Sequence, residues 1–325
     1  MQNRAAIIGG GVSGLTCGVL FAERGWNITI FADETGQKTT SAAAAAIWFP
    51  YDAEPAEKVV PWALTTFRIL NELARNRGTG VSMLELRQCT YTGAISIPNW
   101  AKKLGAAPLS LIPSGAEGSL SSGFPSVFTS GFGLTVPLTD TTLYLDYLAT
   151  RFRKTGGTVR SRHITKVEEI PHDFGLIINC AGIGARELVH DSELEPHRGQ
   201  VVVVPKLKLG AAIVCDGPPL MYAIPRTQDC ILGGTNVLSD SRQPSPADTA
   251  AIVAECSRVL GIEAPRVLAV KVGLRPFRKS GVRLEPDKLR DGRTVIHNYG
   301  HGGAGFTLSW ACAKEVYAIA TANGG

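Results

Sequence analysis

Gly9-Gly10-Gly11-Val12-Ser13-Gly14 carries the densest chemical signal in the chain. Glycines at 9, 11 and 14 make a G-x-G-x-x-G pattern, with the apolar run 5–8 before it and the apolar stretch 15–22 after it. A second apolar run, Ile28-Thr29-Ile30-Phe31, leads to Asp33, which stands 33 − 14 = 19 residues beyond the last glycine. Strand, tight turn, helix and second strand are thereby predicted in that order. Glycines permit a sharp turn and close backbone approach, so a pyrophosphate can rest on the helix N-terminus. Asp33 is then placed to accept hydrogen bonds from a ribose hydroxyl. The position of the motif at the start of the chain suits FAD.

Three further groups could do chemistry. Arg275, beside Pro276 after the mostly apolar run 267–272, offers a planar fork that matches a carboxylate; on residue type alone a surface ion pair is the commoner role. Tyr222 is a phenol in a candidate hairpin, where a packed core tyrosine is the commoner case. Residues 297–305, His-Asn-Tyr-Gly-His-Gly-Gly-Ala-Gly, form a glycine-rich loop that opens a helix. Its N–H groups and positive dipole end can face the electron-rich edge of a reduced flavin. A nicotinamide-only dehydrogenase needs no such second element. His297 and His301 invite a general-base role, but structural roles are expected for both.

The elements that must position these groups follow from periodicity. Residues 55–76 read as an amphipathic helix through Val60, Ala63, Leu64, Phe67, Leu70 and Leu73. Residues 140–153 read as a second helix, with Asp140 at its start. Helices are also predicted over 247–260 and from Gly305 onward. Residues 81–133, rich in Gly, Ser and Pro, predict strands and loops, Ala94-Ile95-Ser96-Ile97 among them. Strands are expected over 175–180 and 201–204, and a hairpin from 221–224 and 231–234. The five alanines 42–46 fit either an ordinary helix or a ligand-lining segment ended by Pro50.

Composition bounds the alternatives. The 325 residues suffice for two domains. A formal charge of +5 with no dense Lys/Arg run argues against nucleic acid and membrane surfaces as partners. No run reaches the roughly 18–20 apolar residues that span a bilayer, and no secretory signal is read. Seven scattered cysteines without C-x-x-C spacing argue for a reducing compartment, with the cytoplasm as default, and against a zinc site. They leave a single disulfide open.

The stretch 295–310, Val-Ile-His-Asn-Tyr-Gly-His-Gly-Gly-Ala-Gly-Phe-Thr-Leu-Ser-Trp, resembles the signature of the D-amino-acid oxidases. The resemblance spans the chain in order. It includes Ala45-Ala46-Ile47-Trp48-Phe49-Pro50-Tyr51, Arg198-Gly199-Gln200, Tyr222-Ala223-Ile224-Pro225-Arg226, Gly233-Gly234-Thr235 and Gly273-Leu274-Arg275-Pro276. It implies a mixed α/β fold in which a Rossmann-like FAD-binding domain (1–55, 140–190, 283–325) interleaves with a β-rich substrate-binding domain (56–139, 191–282). It implies FAD as cofactor, a neutral D-amino acid and dioxygen as substrates, and hydride transfer from the substrate Cα to flavin N5. A 2-oxo acid, ammonia and hydrogen peroxide would result. D-aspartate oxidase and glycine oxidase remain rivals within the class, and a non-catalytic flavin-binding protein outside it. A homodimer is left open.

By resemblance, Arg275 and Tyr222 hold the substrate carboxylate and the Gly303 carbonyl receives its amine. Gly9, Gly11, Val12, Ser13, Gly14, Asp33, Thr39, Thr40 and Ser41 meet the dinucleotide, and Val167 contacts the adenine through its backbone. Ala46, Ile47, Arg275, Gly302, Gly303, Gly305, Phe306 and Thr307 lie at the flavin. Asn236, at the pocket mouth, stands where many members carry a tyrosine. Ala46 and Ala311 replace frequent glycines. No second basic group suited to a side-chain carboxylate is found.

Overall fold

The computed structural model describes residues 3–51, 53–109 and 127–322. Among these, two sheets organise the chain. The first has six strands in the order Arg283–Lys288, Thr294–Tyr299, Leu176–Asn179, Arg4–Gly10, Asn27–Thr35 and Thr158–Ser161. All its pairings are parallel except that of Arg283–Lys288 with Thr294–Tyr299. Ala5, Ala6, Ile7 and Ile8 are buried on both faces, as the unbroken apolar run requires of a central parallel strand. Strands drawn from the start, middle and end of the chain therefore meet side by side.

The second sheet has nine strands and is mostly antiparallel. Its path runs Val237–Leu238, Leu194–Pro205, Asp229–Gly233, Met221–Pro225, Ala211–Cys215, Val81–Thr90, Ser130–Thr139 and Ala107–Pro108. Ala269–Arg278 pairs with Leu194–Pro205 along ten residues, Arg275 opposite His197. The predicted hairpin forms, Tyr222 opposite Gly233. Arg275 lies well inside its strand, with three strand residues beyond it.

The helices sit close to where periodicity puts them. Ala56–Leu73 buries Val59, Trp62, Ala63, Thr66 and Leu70. Thr141–Lys154 is capped by Asp140, whose Oδ1 accepts from Thr142 N (3.1 Å). Pro246–Leu260 is capped by Ser245 and closed by Gly261 in the left-handed region, φ 63°. Gly305–Ala322 is buried along most of its length, and its Ala311 N donates to Thr66 Oγ1 (3.1 Å).

Two open expectations are resolved here. Within the strand-and-loop region 81–133, of which 110–126 lie outside the described residues, Ala94-Ile95-Ser96-Ile97 is loop and leads into a short helix, Asn99–Lys103. The alanine run is not an ordinary helix. Helix ends at Ala43, and the chain then runs extended past a left-handed Ala46 (φ 57°). The Ala46 carbonyl accepts from both Thr139 N (3.0 Å) and Thr139 Oγ1 (2.9 Å), two bonds that outweigh helix propensity.

Asp191 ties the two sheets together. It accepts from Tyr299 Oη of the first (2.7 Å) and from Arg278 Nε of the second (2.8 Å), and is itself buried. Burial pushes its carboxyl up, but the hydrogen bonds from Tyr299, Arg278 and the Glu193 backbone outweigh this and leave it below the usual range. Because the folded value is depressed, the stabilisation is present above the unfolded carboxylate range and is lost as pH falls through the folded value. Asp191→Asn should cost about 2 kcal/mol at neutral pH, in the range for hydrogen bonds to charged groups. Thermal melts at several pH values should show the gap to wild type closing in acid. A constant gap would refute the assignment.

Candidate active site

One cavity of about 570 Å³ runs along the join of the two sheets. Its dinucleotide end is built from the first sheet. The strand Arg4–Gly10 turns at Gly9 (φ 111°) into the helix Val12–Ala22. A Cβ at Gly9 would overlap the Cys180 carbonyl, and one at Gly14 would overlap the Gly9 carbonyl oxygen. Gly14 thus does not line the cavity; it allows the helix to pack against the turn. Gly9, Gly11, Val12 and Ser13 do line it. Ser41 Oγ accepts from Val12 N (3.0 Å), which fixes Thr39, Thr40 and Ser41 over the helix N-terminus.

Asp33 lines the same end. Its Oδ1 accepts from Glu34 N (2.9 Å), and its Oδ2 is 2.8 Å from His163 Nδ1. Burial pushes its carboxyl up; the bonds from His163 and the backbone outweigh this and hold it below the usual range, an anion ready to accept. Val167 does not line the cavity. It is buried in the cluster around Phe31 and Phe174, and Ile164 and Thr165 reach the cavity wall instead. A glycine cradle at a helix N-terminus and an ionised carboxylate beyond it together fit the pyrophosphate and ribose of FAD.

The other end is built where the second sheet faces Gly302, Gly303, Gly305, Phe306 and Thr307. Thr307 Oγ1 donates to the Phe49 carbonyl (3.0 Å) and accepts from Phe49 N (3.1 Å). That pair locks the extended segment carrying Ala46 and Ile47, both cavity residues, to the last helix. The left-handed Ala46 also accounts for the glycine frequent at this position.

Tyr222 and Arg275 converge here, and each depends on a glycine across the sheet. The Tyr222 ring crosses Gly233, where any Cβ would overlap it. The Arg275 guanidinium lies over Gly199, where a Cβ would strike it. Arg275 Nη1 donates to the Thr235 carbonyl (3.0 Å) and to Asn236 Oδ1 (3.4 Å). These partners are neutral, and among the described residues Arg275 makes no ion pair. Burial raises the Tyr222 hydroxyl above its ordinary value, with Arg275 pulling it the other way, so it stays a protonated donor.

Sequence reasoning quoted Tyr51 but gave it no role. Its ring lies over Gly303, and Asn236 Nδ2 donates to its hydroxyl (3.2 Å). Asn236 therefore holds Arg275 and Tyr51 at once. Nothing in spacing could reveal this, since the three residues come from three distant segments. Asp216, Val214, Leu220 and Ile224 also line this end and were not singled out.

The two histidines separate. His301 lines the cavity; burial lowers it to about 4, and its Nε2 donates to Asn298 Oδ1 (3.1 Å). His297 lies off the cavity, is likewise lowered to about 4, chiefly by burial, and faces Asn179 Nδ2 through Nδ1 (3.3 Å). Both are neutral at pH 7. No group of acidic, histidine and cysteine side chains among the described residues could hold a metal, and no helix is long and apolar enough to cross a membrane.

A family model described as FAD dependent oxidoreductase matches residues 4–319. The D-amino-acid oxidase of Rubrobacter xylanophilus is 37% identical over 323 residues, spanning 98% of this chain and 96% of that protein. That of Streptomyces coelicolor is 39% identical over 326 residues, spanning 98% and 97%. The crystal structure of glycine oxidase from Geobacillus kaustophilus shares the fold, with a TM-score of 0.81 over 99% of this chain and 95% of its own, at 17% identity. The chain belongs to the D-amino-acid oxidase family of FAD-dependent oxidoreductases.

Proposed function

We propose that this protein oxidises D-amino acids to imino acids, which water converts to 2-oxo acids and ammonia. The observation that carries the proposal is Arg275, a cation facing the cavity on neutral partners only. Arg198, Arg226, Arg278 and Arg293 are all matched to carboxylates. A guanidinium left with neutral acceptors beside a phenol selects an anionic ligand, and its planar fork fits a carboxylate. A protein that only stored flavin would have no use for this clamp. The presence of two sheets supports the proposed division into a cofactor domain and a substrate domain, and seven free, buried thiols support a cytoplasmic setting.

FAD, which Gly9, Gly11, Val12, Ser13, Asp33 and Ser41 would hold, would supply the two-electron acceptor for the substrate Cα–H and a route for those electrons to dioxygen. The protein's part is placement. Arg275 and Tyr222 fix the carboxylate, and the Gly303 carbonyl orients the amine. Two anchors on one carbon set which face presents its hydrogen, and such fixing replaces lost entropy with proximity. Asn236 and Tyr51 steady the clamp through the contacts above. Asp33 and the glycine turn hold the distant end of the cofactor and need not touch the reacting atoms.

The direct test is anaerobic mixing of purified holoprotein with D- or L-alanine. The flavin absorbance should bleach with D-alanine alone; bleaching by the L-enantiomer, or by neither, defeats the proposal. Arg275→Ala should retain FAD and lose about 3 kcal/mol of transition-state stabilisation, on the order of a hundredfold in kcat/KM. Near-normal efficiency with flavin bound would remove Arg275 from the site.

Gly199→Ala separates clamp geometry from clamp charge. The three atoms nearest the new methyl all belong to the flexible end of Arg275, so the fold should tolerate it while the guanidinium is displaced. KM for D-alanine should rise about tenfold or more, roughly the worth of one charged hydrogen bond, with an unchanged melting temperature. A variant with wild-type KM would show that Arg275 acts from some other position.

His301→Gln tests catalysis by placement. A required general base contributes about 10² to 10⁴-fold. Here a modest loss is expected, while Cα-deuterated D-alanine should still slow flavin reduction in stopped-flow. A thousandfold loss in a folded, FAD-loaded variant would make the histidine a proton acceptor.

A further inference from the structure

The cavity holds a second charge without an opposite partner. Asp216 follows the strand Ala211–Cys215 and lines the substrate end of the cavity. Val214, two residues before it, pairs with Tyr222 across the sheet and lines the same cavity. Asp216 lies two residues beyond Val214, just past the end of the strand, on the same cavity wall. Val214 and Leu220 line the cavity on the Asp216 side of Tyr222, an apolar surface next to the carboxylate, and Ile224 lies on the far side of Tyr222.

Asp216 as a residue is exposed to solvent, and its protein neighbours are neutral. Its Oδ2 accepts from Gln88 Nε2 (2.9 Å), and no cation pairs with it among the described residues. The remaining residues of the chain include no lysine, arginine or histidine. Gln88 is buried, and its other amide atom, Oε1, is an enclosed acceptor without a partner among the described residues. The other carboxylates of the cavity wall belong to the dinucleotide end and have partners or neighbours of their own. Asp33 hydrogen-bonds with His163, Glu34 pairs with Arg242, Asp240 pairs with Arg186, and Glu187 follows Arg186 in its helix. Desolvation by the surrounding protein raises the Asp216 carboxyl above its ordinary range, opposed only by the Gln88 bond. Exposed on the cavity wall, the carboxylate is open to a cation arriving through the cavity.

Resting on the oxidase reading above, we propose that Asp216 selects D-amino acids whose side chains end in a cation, such as D-lysine and D-arginine. Arg275 takes the α-carboxylate, the apolar wall covers the methylene stem, and Asp216 receives the ammonium or guanidinium. Lysine and arginine commonly lay their stems along apolar surface while the charged head reaches a polar group. The inference departs from the neutral side chain expected from sequence. It also disfavours D-aspartate, whose side chain would meet a carboxylate.

The test compares D-lysine and D-arginine with D-norleucine, which has the same linear stem as lysine without the charge. Wild-type kcat/KM should favour the cationic substrates by about tenfold or more, the worth of one charge-assisted hydrogen bond. In Asp216→Asn the ratio of cationic to neutral efficiency should fall by about that factor, and Asp216→Glu should keep most of it. If wild type uses D-norleucine as well as the cationic substrates, or if the ratio survives in Asp216→Asn, the inference is overturned while the oxidase reading stands. The wild-type comparison decides the matter even should a variant fail to fold. If no D-amino acid reduces the flavin, both readings fall together.

Discussion

A single unmatched positive charge organises the substrate end of this molecule. Arg275 comes from the middle of a strand, where a guanidinium would ordinarily find a carboxylate or reach water. Instead it lies across Gly199 and rests on a backbone carbonyl and an amide oxygen. Neutral acceptors fix its direction without cancelling its charge. The field that would bind an anion is therefore intact when the substrate arrives, and little reorganisation is needed. Asn236 matters for the same reason. An acidic residue there would hold Arg275 more tightly and neutralise it.

Close approach is the second constraint, and it recurs at both ends of the cavity. Gly9 and Gly14 let strand, turn and helix pack so that the helix N-terminus is available to an anion. Gly199, Gly233 and Gly303 let Arg275, Tyr222 and Tyr51 lie flat against neighbouring backbone. A methyl group at any of these points would move a functional group or a strand. The glycines thus act through what they leave open more than through flexibility. Thr307 and Phe49 add the reciprocal pair of hydrogen bonds that joins the cofactor-facing helix to the segment over the cavity.

The dinucleotide end was legible because it is local. Its strand, glycine turn, helix and acid lie within 33 residues, and one period of structure places them all. The long helices were legible for a similar reason, since each buried face repeats along one segment. The substrate end was legible only through family resemblance. Tyr51, Asn236 and Arg275 meet from positions far apart, and Asp216 gains its meaning from a strand pairing that periodicity cannot give. Propensity could not decide the alanine run, because two hydrogen bonds to the Ala46 carbonyl set its path. Val167 sits just beyond the stretch that reaches the cavity wall.

A reaction that releases hydrogen peroxide beside free thiols poses a chemical problem, and the interior offers an answer. Cys180 lines the cavity, with Cys17 Sγ 4.0 Å from its sulfur. The thiolate is the form that attacks peroxide, so susceptibility follows the ease of deprotonation. Burial pushes the Cys180 thiol well above its ordinary value, and Cys17 pushes it the same way. Cys312, fully enclosed, is raised as well. Asn298 Nδ2 donates to both Cys17 Sγ (3.4 Å) and Cys180 Sγ (3.6 Å), a weak opposing effect, while its Oδ1 accepts from His301. The same apolar enclosure that keeps His301 neutral therefore keeps the Cys180 and Cys312 sulfurs protonated, and one desolvated interior serves both ends.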